Sequence, residues 1–472
     1  MEKTLKHRKI ANPYILFILS FVIVILVGSI LLYMPFCAAS SSEITWSHFG
    51  NWEYYLNCFF VAVSATCVTG LNPFASGLEG TFNFAGQLIV LIMIQIGGLG
   101  FITILTFIFT LFRSKLQFKN RYILAQAVNA TSVGDVVKFV RNVILVSLIF
   151  ETIGTLLGLP VFLHIFSDNP SKGVWNAIFT SVSAFNNAGF DILGGSSLMD
   201  EKIVGLLADS STTWMYYYLL SYIMILVVFG GISFLVIFDL FGRLKRRKKN
   251  EIHTFTKMVL CTTAFLLIAG YALLMLTDGI NGTLSPFDAL FQTVTLRTAG
   301  FSNIDQSKLS LPGKFICCMW MFVGGSPLST AGGIKTTTAF VIFLSMYCHL
   351  RGKQVVAFKR AFSSNTILKA MSLLVLGIVA ILIAMVSIAG IEHANEIATM
   401  DNIFFEVFSA FGTVGLSANL TTTLHAGSKV ILCVLMFLGR LGPITFFQVF
   451  SSNMSKEGDL HYKFIEEDAL VG

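Results

Sequence analysis

Charge is what this chain has least of. Only 12% of its 472 residues are Asp, Glu, Lys or Arg, and 55% are hydrophobic; a soluble domain carries about 25% charged residues. A soluble fold of this length would need far more polar surface, so the expected class is an all-α polytopic membrane protein. The eight cysteines form no Cys-x-x-Cys pair, and Cys261, Cys317, Cys318 and Cys433 lie in apolar segments. Neither a disulfide framework nor a zinc site is indicated. There is no His-Glu-x-x-His, no Gly-x-Ser-x-Gly and no pair of carboxylates at catalytic spacing. An enzyme is therefore not expected, nor an organic cofactor in this chain. Soluble stretches reach a few tens of residues, too short for a nucleotide-binding domain. The net charge of +7 reads as basic cytoplasmic loops, not as a nucleic-acid surface.

What is present is a unit written four times. Thr66-Cys-Val-Thr-Gly-Leu71, Asn186-Asn-Ala-Gly-Phe190, Arg297-Thr-Ala-Gly-Phe301 and Gly412-Thr-Val-Gly-Leu416 each end in glycine followed by Leu or Phe. The glycines, Gly70, Gly189, Gly300 and Gly415, lie 119, 111 and 115 positions apart. Six residues before them stand Ser64, Ser183, Val294 and Ser409, and ten before stand Phe60, Phe179, Leu290 and Phe405. Such a period sets the architecture before any local reading. Four units are expected, 1–112, 113–241, 242–350 and 351–472, the last with a C-terminal tail. Each holds a long apolar helix (about 13–36, 140–165, 257–277, 367–391), a short amphipathic helix (53–66, 173–186, 286–297, 400–412), the glycine loop, and a second long helix (83–112, 212–241, 312–348, 427–450). The first run, 13–36, exceeds a signal-peptide core and is expected to remain as a membrane helix.

The short helices hold about 12–14 residues, whereas crossing a ~30 Å hydrocarbon core takes about 20. They are expected to dip in and return. Non-helical backbone at that depth must be buried in protein or line a water-filled cavity, so the four loops should share one polar centre. Basic segments (113–121, 243–249, 351–360 and the N-terminus) alternate with acidic ones, which places both termini and the basic linkers in the cytoplasm of a cell-membrane protein. Inward carbonyls that replace an ion's water shell need backbone conformations a Cβ obstructs. The candidate ligands are the carbonyls of Val68, Thr69 and Gly70, of Asn187, Ala188 and Gly189, of Thr298, Ala299 and Gly300, and of Thr413, Val414 and Gly415. No carboxylate lies in these loops, which favours a monovalent cation. Asn186 and Asn187 are candidate braces of the second loop, Arg297 of the third, with Glu406 and Asp288 as partners for such donors. Glu151 reads as a partnered structural carboxylate.

The second long helices carry another fourfold echo: Gly97-Gly98, Gly230-Gly231, Gly324-Gly325 and Gly439-Arg440. The first two pairs read as close packing through small residues. The third opens Gly324-Gly-Ser-Pro-Leu-Ser-Thr-Ala-Gly-Gly333, where Pro327 and four glycines cannot stay regular helix; a broken helix lining a cavity is expected. Arg440 near mid-membrane is a functional candidate by default.

These loops resemble the potassium-translocating subunits of the Trk/Ktr/HKT superfamily, the KtrB-like branch in particular, over nearly the whole chain. The resemblance implies potassium as the transported ion, with glycine at position 70 marking potassium over sodium, and sodium as a candidate activator. It implies an intramembrane gating loop at Gly324, Gly325, Ser326, Ser329, Thr330, Ala331, Gly332 and Gly333, with Arg440 facing the pore beside it. It also implies a homodimer in the bilayer, seated on a cytosolic KtrA-like nucleotide-binding ring that would dock on the basic linkers. Cys67 and Leu296 depart from the usual Thr and Pro. A sodium-coupled secondary potassium transporter is the alternative; that class expects unwound full-length helices rather than four half-length ones.

Overall fold

The computed structural model describes residues 13–39, 50–100, 136–195, 197–207, 210–246 and 252–442. The fold is helical. Among the described residues four helices are long and apolar enough to cross a membrane, within Lys138–Ile165, Thr213–Gly231, Thr254–Gly279 and Ser364–Ile391, and shorter apolar helices accompany them. In chain order the helices are α1 (Pro13–Tyr33), α2 (Trp52–Cys67), α3 (Phe84–Leu99), α4 (Val136–Ile165), α5 (Pro170–Phe185), α6 (Thr213–Gly231) and α7 (Phe234–Arg246). They continue with α8 (Thr254–Leu274), α9 (Pro286–Thr295), α10 (Leu311–Phe322), α11 (Thr336–Leu350), α12 (Ser364–Ile391), α13 (Met400–Gly412) and α14 (Ala426–Leu441). A two-residue hairpin, β1 (Val356–Ala357) and β2 (Arg360–Ala361), joins α11 to α12.

The half-length helices are α2, α5, α9 and α13, with 16, 16, 10 and 13 residues. At 1.5 Å per residue none spans the hydrocarbon layer. Proline opens α5 and α9, where the missing N–H is harmless. Side-chain caps from Asn51, Asn169 and Ser285 start α2, α5 and α9. Their apolar faces form the core: Phe60, Phe179, Phe291 and Phe405 are fully buried.

Two expectations change here. The fixed offset from the glycines fails in the third unit, where Leu290 is 40% exposed and Phe291 takes the core position. The backbone explains the slip. Thr69, Ala188 and Val414 donate their N–H to Ser64, Ser183 and Ser409, five residues back, but Ala299 donates to Thr295, four back. The third loop is one residue tighter, so Thr295 and Phe291 stand where Ser64 and Phe60 stand in the first. Second, the run 212–241 is not one helix. It breaks between α6 and α7 at Ile232-Ser233, where Ser233 accepts from Leu235 N–H. The runs 83–112 and 427–450 are helical to Leu99 and Leu441, followed by Gly100 and Gly442 at φ 81° and 82°. Their remainders, the linker 113–121, the N-terminal basic segment and the C-terminal tail lie outside the described residues, as does the end of 243–249.

Candidate pore and its inner cover

The four glycine loops meet. A Cβ built on Gly70 would lie 2.6 Å from the carbonyl oxygen of Ala188, and one on Gly189 2.6 Å from that of Ala299. On Gly300 it would fall on the carbonyl oxygen of Val414, and on Gly415 on that of Thr69. Each glycine faces the carbonyl that precedes the next glycine, and the series closes, first to second to third to fourth to first. All four glycines have positive φ, 105°, 67°, 80° and 94°. Glycine is therefore needed twice over, for conformation and for clearance.

A second set of left-handed residues lies two positions earlier: Val68, Asn187, Thr298 and Thr413, with φ of 59°, 57°, 65° and 51°. A β-branched residue there is a genuine outlier, held at about 1–3 kcal/mol only where the surroundings over-determine it. Hydroxyls fasten the first and fourth loops identically: Gly70 N–H donates to Ser64 Oγ and Gly415 N–H to Ser409 Oγ, each at 3.1 Å. In the third, Thr295 Oγ1 donates to Phe301 O at 2.7 Å. The second is held from outside. Asn186 donates to Gln95 Oε1 at 2.9 Å and Glu151 Oε1 at 3.1 Å, and Glu151 also accepts from Gln95 and Ser147. Asn187 Nδ2 lies 3.4 Å from Arg297 O. Glu406 accepts from Ser417 and Thr421, and Asp288 from Ser285 and Asn303; neither meets a basic side chain in these bonds.

Above the ring opens a cavity of about 430 Å³ lined from all four loops, including the four glycines, Asp191, Asp305, Lys308 and Asn419. Burial pushes the Asp191 carboxyl up to about 6, against hydrogen bonds from Ser197 and the Leu193 N–H. For Asp305 burial is outweighed: Ser307, Lys308 and Asn419 hold it below the usual carboxylate range.

Behind the ring, the small residues of the second helices admit the half-length helices. A Cβ on Gly97 would fall on Thr66 O, on Gly230 on Phe185 O and on Gly439 on Phe411 O, each four residues before a loop glycine. The third unit differs, because residues 323–335 form the expected break between α10 and α11. Gly324 packs beside Thr298 and Gly332 against Thr413, so the broken segment lies directly against the loops. It also fills the break in α6–α7. Ser326 N–H donates to Gly231 O at 3.1 Å, Thr330 N–H and Oγ1 donate to Gly230 O at 3.3 and 2.9 Å, and Phe234 N–H donates to Leu328 O at 3.1 Å. Arg297 reaches Thr263 O and Gly324 O, at 3.5 and 3.4 Å, so it braces this segment rather than its own loop. Arg440 donates to Thr330 O, to Gly97 O and, at 3.2 Å, to Gly98 O, with no carboxylate partner among the described residues. Lys335, given no role from sequence, donates to Ala331 O at 2.7 Å. Two cations thus hold the carbonyls of neighbouring residues in the segment. Among the described residues no cluster of three metal-binding side chains occurs.

Comparison with known proteins agrees with this geometry. Residues 2–458 match the family model TrkH, described as cation transport protein. The chain is 33% identical over 474 residues to the potassium/sodium uptake protein NtpJ of Enterococcus hirae, covering 98% of both chains. It is 33% identical over 470 residues to the Ktr system potassium uptake protein B of Bacillus subtilis, covering 98% of this chain and 97% of the other. Among solved structures, the potassium transporter TrkH from Vibrio parahaemolyticus superposes with a TM-score of 0.67 at 15% identity, over 95% of this chain and 86% of that one.

Proposed function

The chain belongs to the TrkH family of cation transport proteins, and on that premise we propose that it takes up potassium across the cell membrane through one channel-like pore built from four units. The observation that carries the reading is the closed series of glycine–carbonyl approaches from Gly70 round to Thr69. Backbone oxygens of Val68–Gly70, Asn187–Gly189, Thr298–Gly300 and Thr413–Gly415 would take the place of an ion's water shell. The four half-length helices end just before their loops and aim the negative ends of their dipoles at the same centre, which favours a cation. The absence of acids in the loops favours a monovalent one. Relatives named for potassium uptake support potassium.

The segment Gly324–Gly333 is the gate. Seated, it covers the inner face of the ring, and Arg440 and Lys335 hold it there while repelling cations. Leaving has a defined cost, because Gly230 O, Gly231 O and Phe234 N–H would lose their partners inside the membrane. The bonds lost are replaceable. In a continuous helix Phe234 N–H pairs with Gly230 O, and Leu235 N–H with Gly231 O, so gate release and straightening of α6–α7 exchange one set of bonds for another. α7 leads to the basic linker 243–249, where a cytosolic nucleotide-binding ring could pull; the same reading has the chain as a homodimer with both termini cytoplasmic. The name of the Enterococcus relative keeps sodium in view, either as activator or, in the second reading, as the coupling ion. The test is rescue of potassium-limited growth in a transport-deficient host expressing the chain with its cytosolic partner, repeated with Gly300→Ser. Rescue abolished or made sodium-sensitive by the substitution supports the pore, and absence of rescue by the unaltered chain removes it.

A further inference from the structure

From Asp305 to Glu392 the chain contains no carboxylate, yet Arg351, Lys353, Lys359, Arg360 and Lys369 fall within 19 residues of that interval. They sit on built structure. α11 closes with Gly352 at φ 60°, whose N–H donates to His349 O at 3.0 Å, while Lys353 N–H donates to Cys348 O at 2.9 Å. The hairpin follows, pairing Val356 with Ala361 and Ala357 with Arg360 around a turn at Phe358-Lys359, φ 49° and 65°. Its tip is tied back. The Phe358 ring stacks on Phe340 of α11, centroids 6.1 Å apart and planes 15° apart, and the Lys257 ammonium of α8 lies 5.9 Å over Phe358. Phe340 is ten residues before the end of α11, about 15 Å along the helix axis.

The hairpin tip therefore lies alongside α11 and the start of α8, and its cations are exposed beside them. The surface beside them is apolar: Phe343, Met346, Tyr347 and Leu350 of α11 and Leu368 of α12 are exposed, Leu350 at 85%. The Arg351 guanidinium lies 4.6 Å over the exposed Tyr347 ring. Among the described residues none of the five cations forms an ion pair. Cations without counter-ions, aromatic rings against two of them and bare aliphatic surface next to them match a lipid headgroup layer. An acidic protein face would match the charge but not the apolar rim.

We infer that the hairpin and the ends of α11 and α12 bind anionic phospholipid, with Lys359 and Arg360 at the hairpin and Lys353 past the end of α11 taking headgroup phosphates and the exposed side of α11 taking the acyl chains. Of the basic linkers open to a cytosolic partner, this one then belongs to the bilayer. The assignment does not depend on the ion carried, so it survives or fails separately from the pore. The experiment reconstitutes the full chain in nanodiscs of phosphatidylcholine with a minority of phosphatidylglycerol and counts retained lipids by native mass spectrometry. Each cation contributes roughly fivefold in preference, so wild type should retain phosphatidylglycerol at least tenfold over its bulk share. The exposed triple variant Lys353→Gln, Lys359→Gln, Arg360→Gln should lose that enrichment by tenfold or more, with an unchanged melting point in phosphatidylcholine alone; Lys202→Gln, on a different loop, should keep it. Undiminished enrichment in the triple variant overturns the site. So does unchanged enrichment combined with lost binding of the cytosolic partner, which would make the patch a protein-docking face.

Discussion

Gly189→Ala tests the ring most directly, because its conformation and clearance are both defined. At φ +67° an alanine is in the left-handed region, which costs an L-residue roughly 1–2 kcal/mol. Its Cβ would stand 2.6 Å from Ala299 O and 2.6 Å from Gly300 Cα, and non-bonded carbon contacts settle nearer about 3.5 Å. The second and third loops must part by about half an ångström or more, and the atom that gives way first is a ring carbonyl. Together these come to about 3 kcal/mol, and each 1.4 kcal/mol is tenfold. Potassium-over-sodium preference should fall by roughly one to two orders of magnitude. The assay is rubidium and sodium tracer uptake into proteoliposomes at equal protein load. Gly205→Ala is the control. Nothing stands within 4 Å of its added Cβ and its φ is −55°, so selectivity should stay within about twofold. Wild-type selectivity in Gly189→Ala, with the control also normal, would refute the claim that these carbonyls set the choice of ion.

Other expectations concern single contacts. Arg440→Ala removes donors to Thr330 O and to the end of α3, each bond to a charged group being worth about 1.5–3 kcal/mol; resting flux without the partner should rise more than about tenfold, and unchanged flux would sink the gate assignment. Glu151→Ala strands Gln95, Ser147 and Asn186 and should lower the melting midpoint by several degrees, with loss on the order of 3 kcal/mol; Glu151→Gln, which keeps an acceptor oxygen, should recover part of it. Asp191, with its carboxyl pushed up to about 6, is charged above that pH and neutral below. The half-saturating potassium concentration should therefore rise as the outer pH falls from 7 to 5, and Asp191→Asn should flatten that profile. A profile unaltered by the substitution would assign the titration to another group.

The half-length helices and the shared centre were legible because both follow from length and period: helices of 10 to 16 residues cannot cross a bilayer, and a broken backbone inside one must be sheltered. The break at 324–333 was legible from Pro327 and its glycines. Other features were hidden for identifiable reasons. Val68, Thr298 and Thr413 are residue types that argue against a left-handed conformation, and only the ring forces it. The one-residue slip in the third loop was masked because Val294 filled the place counted from the glycine, while the matching hydroxyl, Thr295, was next to it. Lys335 gave no signal beyond its charge, since its partner is a backbone carbonyl. The break in α6–α7 was hidden most deeply. Gly230-Gly231 sits in an apolar run like Gly97-Gly98, and what opens the helix there is a segment almost a hundred residues later.

That shared break supplies the sharpest test of the gate. Phe234 is the first residue of α7, a position where proline is well tolerated because its N–H has no partner within that helix. Here the N–H is given to Leu328 O, so Phe234→Pro loses one bond to the seated segment. Taken alone, that loss of about 1 kcal/mol would loosen the gate and raise flux. Proline at 234 also prevents α6 and α7 from joining, because its ring collides with the carbonyl four residues back, Gly230 O, and it has no proton to offer it. If straightening is what repays release of the gate, the second effect wins and activated flux falls by tenfold or more. Phe234→Ala provides the comparison, since it deletes the same packing on Phe185, whose ring centroid is 6.5 Å away, but keeps the N–H and allows the continuous helix. Flux in the proline variant well below that of the alanine variant, at equal protein level, is the expected result. Equal flux would mean that the segment leaves without the helices joining, and that its orphaned partners are met by water or by the passing ion.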